Sequence, residues 1–197
     1  MTTARDLAII ALNVAPDRPV EPGNLSLVLA GAEVLDLIAA RSVVLDGDRI
    51  LPGPQSLTGD RLLDEAASAL VRQEPYEAVE DWLWRRGRGL SSAYVDELER
   101  IGLTTRPRGR RIPLRTGRTE LADSAARREA EERWASGEPT LAALGAAAGI
   151  REEPIEGLTE EAVTVLAAVG NAVQELEAVR QRKVIEDAAF DNIWRGY

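Results

Sequence analysis

Apolar residues recur at spacings of three and four along most of this chain, the rhythm of helices that bury one face. A first apolar segment, residues 7–12, runs into a stretch broken by Pro16, Pro19 and Pro22, which reads as a short helix followed by a loop. With Asn24 as N-cap, residues 25–40 place Leu27, Ala30, Gly31, Val34, Leu35 and Ile38 in register with little polar surface, predicting a central buried helix. Residues 42–51 form two β-prone runs around Asp46-Gly47, a hairpin signal. Residues 59–66 open an amphipathic helix with Leu62, Leu63, Ala66 and Leu70 on one side. After Pro75 a helix turns Val79, Trp82 and Leu83 inward and stops in Arg85-Arg86-Gly87-Arg88-Gly89. Residues 91–100 read as a helix with Tyr94, Leu98 and Ile101 on its apolar side. Pro107-Arg108-Gly109 then marks a second hairpin. Asp123 caps a helix to Trp134, Thr140 caps residues 141–148 with Gly149 as the stop, and Thr159 starts a long final helix.

These elements predict a mainly α fold with one or two projecting β-hairpins, organised as a single domain over residues 1–197. The chain has no cysteine and no histidine. Disulfides, thiolate nucleophiles, zinc sites of the usual type and imidazole acid–base catalysis are excluded with them. The acid pairs Asp60/Asp64 and Asp64/Glu65 read as caps or a solvated face, so no catalytic residue, metal or cofactor is expected. The N-terminal apolar run is too short for a secretory segment, and no stretch reads as long enough to cross a bilayer, so a cytoplasmic protein is expected.

Charge adds a second pattern. The net charge is -9, yet residues 85–118 hold ten arginines against Asp96, Glu97 and Glu99, a local balance of +7 that leaves -16 elsewhere. Guanidinium groups keep their charge and pair bidentately with phosphate. Arg85, Arg86, Arg88, Arg108, Arg110, Arg111 and Arg115 are therefore candidate ligands for an anionic headgroup, with Trp84 beside them as a membrane anchor. A solvated basic rim is the plainer reading of the same residues, because only Lys183 of the 24 basic residues is lysine, as in a high-GC genome such as an actinobacterium's. Nucleic acid is disfavoured as a partner, since the helix before the basic hairpin carries Asp96, Glu97 and Glu99.

Three stretches resemble the Golgi phosphoprotein three family in its bacterial form. They are Leu29-Ala30-Gly31-Ala32-Glu33-Val34-Leu35-Asp36-Leu37 with the Asp46-Gly47-Asp48-Arg49 hairpin, Thr58-Gly59-Asp60-Arg61-Leu62-Leu63-Asp64-Glu65-Ala66, and Leu98-Glu99-Arg100-Ile101-Gly102-Leu103. The resemblance implies a helical core bundle wrapped by amphipathic helices. It also implies a non-catalytic peripheral adaptor that touches anionic lipid and a protein partner at the inner face of the membrane. Self-association through the basic hairpin is a further expectation. Eukaryotic members bind phosphatidylinositol 4-phosphate through a tryptophan and three arginines. Those positions fall near Glu21, at Ala30 and near Gly87 and Leu90 here, and none is matched. That departure keeps an alternative open, a small-molecule-binding protein or cofactor-free cyclase of a bacterial biosynthetic cluster.

Overall fold

The computed structural model describes residues 2–14, 20–54, 56–105, 120–150 and 156–195. In chain order the elements are α1 (Thr3–Asn13), α2 (Pro22–Ala39), β1 (Val43–Asp46), β2 (Arg49–Pro52), α3 (Arg61–Ser68), α4 (Val79–Arg86) and α5 (Leu90–Arg100). They continue with β3 (Thr104–Thr105), β4 (Glu120–Leu121), α6 (Ala125–Ala135), α7 (Pro139–Ala147) and α8 (Glu160–Arg195). The fold is mainly α, as the periodicity predicts, and its strands form two antiparallel pairs, β1–β2 and β3–β4.

The bundle is built around α2. Apolar on nearly every side, α2 packs against α1, α3, α4, α5, α7 and α8 and buries Val28, Leu29, Ala30, Val34 and Leu37 completely. Leu27, Val34 and Leu35 are buried as expected, whereas Ile38 is only half-buried, because Leu37 takes the core-facing side of the last turn. The helix starts earlier than Asn24. Pro22 occupies its first turn, where a missing N–H costs nothing. Asn24 instead fastens α2 to α8, donating from Nδ2 to Glu177 Oε1 at 2.9 Å and accepting from Arg180 at 2.9 Å. Gly31 is required by the same contact, since a Cβ there would lie 2.5 Å from Cγ2 of Val169 on α8.

Other boundaries moved by one or two residues for the same kind of reason. Ser124, not Asp123, caps α6, and Glu138, not Thr140, caps α7 by accepting from the Thr140 and Leu141 N–H groups. Asp60 caps α3 as read, accepting from Leu62 and Leu63, and Asp64 accepts from both the N–H and the hydroxyl of Thr58. In the first hairpin Val43 pairs with Pro52 and Asp46 with Arg49, and Gly47 at φ 59° supplies the turn. Ile101 is exposed, not part of the apolar side of α5, because the helix has ended and Gly102 at φ 77° turns the chain away.

The reading that nothing is long enough to cross a bilayer needs correction. By length and composition alone, Pro22–Ala39 and Glu160–Asp187 would both suffice. The first is mostly buried as the core helix of the bundle, and the second lies along α2, α4 and α7. Burial against protein accounts for the apolar character of the first, whereas the second is mostly exposed and buries only one side of its inner turns.

Candidate functional site

The run Arg85-Arg86-Gly87-Arg88-Gly89 joins α4 to α5, and its glycines are structural necessities. A Cβ on Gly87 would sit 2.5 Å from the Leu83 carbonyl oxygen of its own helix, which forces glycine there, and 3.3 Å from that of Ser26, a close approach to α2. Gly89 takes φ 70°, the left-handed region, immediately before α5 begins.

The three arginines of this run go three ways. Arg85 turns back along α4. Its guanidinium donates to both oxygens of Glu77 at 2.6 Å and to the Ala69 carbonyl at 3.1 Å, and it lies 5.1 Å from the centre of the Trp82 ring. Arg86 turns inward. It holds Glu33, in the middle of α2, through two bonds of 2.7 and 2.9 Å, and donates to the Leu62 carbonyl at 3.0 Å. Tyr94 donates its hydroxyl to the same carboxylate at 3.2 Å. Burial pushes the Glu33 carboxyl up from its ordinary value, while Arg86 and Tyr94 pull it back. Arg88 is exposed and has no partner among the described residues. Further along the basic segment, Arg100 and Arg61 both bind Glu97. Hydrogen bonding from Arg100, then from Arg61, holds that carboxyl down at about 2 against the opposing effect of burial.

Arg88 stands at a recess of about 310 Å³ between the first turns of α2 and α5, with Ser26, Trp84, Ser92 and Leu176 in its wall. Ser26 and Ser91 knit its floor: the Ser91 N–H donates to Ser26 Oγ at 3.0 Å, and the two hydroxyl oxygens are 2.9 Å apart. Trp84 is half-buried against the core and forms part of this wall. A larger recess of about 680 Å³ runs along α3, but its arginine, Arg61, is already paired with Glu65 and Glu97. A recess beside α6 is lined by Asp6, Glu129, Glu132 and Arg133, and Arg133 is bonded to Asp6.

Of the candidate headgroup ligands, then, Arg85 and Arg86 are engaged with Glu77 and Glu33, and Arg88 is free to meet a ligand. Arg108, Arg110, Arg111 and Arg115 lie outside the described residues. The strands that flank that segment pair Thr104 with Leu121 and Thr105 with Glu120. Ser26, Ser91 and Ser92 were not singled out from sequence. The Gly-Leu-Ser-Ser run after Arg88 was the available signal, but nothing in it points to Ser26, which lies 65 residues away from Ser91.

The recesses lie on a mainly helical bundle with two short antiparallel ladders, whose buried acids cap helices and pair with arginine among the described residues. The family model for Golgi phosphoprotein 3 (GPP34) matches residues 4–188, and this chain belongs to that family. No curated protein matches it. Within this fold Ala30, Gly87 and Leu90, where the resemblance put the lipid-binding arginines of eukaryotic members, are all buried.

Proposed function

We propose that the protein is a non-catalytic peripheral adaptor, working from the cytoplasmic side, that meets an anionic lipid surface at the α4–α5 junction. The observation that carries this reading is Arg88, exposed and unpartnered at the mouth of a recess that includes Trp84, on a chain whose other described arginines of the basic segment are paired with acids. Arg108, Arg110, Arg111 and Arg115 extend the same basic segment and would act with it. Family membership supports the class of function. On a chain of net charge -9, attraction to an anionic surface would depend on the arginines that no acid neutralises, Arg88 first among them.

Each arginine near such a surface is worth about 1 kcal/mol, and the attraction is screened over a Debye length of about 8 Å at physiological salt. Sedimentation with anionic and neutral liposomes tests the proposal. The parent should bind anionic liposomes at low salt and lose them as salt rises. Arg88→Glu should weaken that binding roughly tenfold, and Arg108→Glu with Arg110→Glu and Arg111→Glu should abolish it, each with a nearly unchanged melting temperature. A parent that ignores anionic liposomes at low salt, or variants that bind as it does, would overturn the reading.

A further inference from the structure

The recess at Arg88 has a neighbour. On the other side of Pro22, Ser91 and Ser92, which belong to both, lies a groove of about 240 Å³ walled by α1, α2 and α5. Its remaining lining is wholly apolar: Ala8, Leu12, Val20, Leu25, Leu29 and Val95. One compartment thus offers an unpaired guanidinium and hydroxyl groups, the next offers only hydrocarbon, and two serines stand at the border. A free inorganic anion would use the first and leave the second filled with water against leucine and valine. A molecule with an anionic head and an apolar tail satisfies both.

We infer that the protein takes up a single phospholipid, with the phosphate at Arg88 and one acyl chain drawn into the groove between α1, α2 and α5. This rests on the anionic-lipid reading of Arg88 and specifies what that site extracts from a membrane. The groove equals about eight liquid-water volumes, room for a short stretch of one chain and not for two. Each methylene buried there is worth about fourfold in affinity. The charged head fixes orientation, and the tail adds affinity that a free headgroup lacks.

The test uses the full chain and two soluble probes, dihexanoyl phosphatidylglycerol below its micelle concentration and glycerol 3-phosphate. Binding is followed by calorimetry. The lipid should bind at least tenfold more tightly than glycerol 3-phosphate. Val95→Trp and, from the opposite wall, Leu12→Trp fill the groove without touching Arg88. Either should erase that advantage while leaving glycerol 3-phosphate binding as in the parent, so one well-folded variant suffices. Arg88→Glu should weaken both probes. Equal binding of the two probes by the parent, or full lipid affinity in a folded groove-filled variant, would overturn the tail groove and leave the headgroup reading standing. Unchanged binding of both probes by Arg88→Glu would overturn the headgroup reading beneath it.

Discussion

At the scale of single residues, most of the arginines among the described residues hold acids. Glu33 is completely buried in the core helix and tolerable there only because Arg86 and Tyr94 bond to its carboxylate. Removing one member of such a pair leaves an uncompensated buried charge. Arg86→Met should cost about 3–5 kcal/mol in urea unfolding, and Glu33→Met in the same chain should return much of it. A double variant as unstable as the single would show that the arginine's contribution is packing alone. Glu97 gives a pH signature of known sign. Its folded value of about 2 lies below the ordinary value near 4.5, so its contribution to stability is present above pH 4.5 and is lost as pH falls toward 2. Burial raises Asp6, Glu33 and Asp36 instead, and their protonation favours the folded state over acid pH. The difference in melting temperature between the parent and Glu97→Gln isolates the glutamate. That difference should shrink steadily between pH 4.5 and pH 2, and a constant gap would contradict the assignment. None of these partnerships was legible beforehand. A count over residues 85–118 finds an excess of +7, but Glu33 and Glu77, which neutralise Arg86 and Arg85, lie outside that window.

At the scale of elements, sequence reading succeeded where burial is one-sided and failed where partners decide. The apolar faces of α3 and α4 are buried as their spacing requires, Leu62, Leu63, Ala66 and Trp82 among them. Helix starts were less secure, because several polar residues near each start can cap it and only the fold selects among them. Asn24 is the clear case: a good cap by type, it lies inside α2 and bonds to α8. The recess itself was half legible. Its arginine and tryptophan stand together in the sequence, but its serines come from two helices that the fold brings together. The α2–α8 contact also carries a prediction. Gly31→Ala would gain about 1 kcal/mol in helix propensity yet drive a methyl against Val169, an overpacking that costs about 1–3 kcal/mol. The variant should be less stable than the parent, and adding Val169→Ala should restore it to at least parental stability. A Gly31→Ala protein more stable than the parent would mean that α8 can step aside.

At the scale of the whole molecule, the arrangement is one axis with its sheath, and α8 reaches beyond both. Its inner turns bury Ala162, Val165, Val169 and Ala172, whereas residues 181–187 are exposed throughout, Val184 and Ile185 included. Between the two regimes Leu176 forms part of the wall beside Arg88, and Glu177 and Arg180 grip Asn24 one turn later. The helix is unbroken across this transition. It is therefore a cantilever: the inner turns are clamped in the bundle, the Asn24 clasp lies where the hold ends beside the recess, and the free arm extends about 10 Å over residues 181–187 alone at 1.5 Å per residue. Anything that engages the free arm meets the clasp first and the recess wall next to it, with no loop between them.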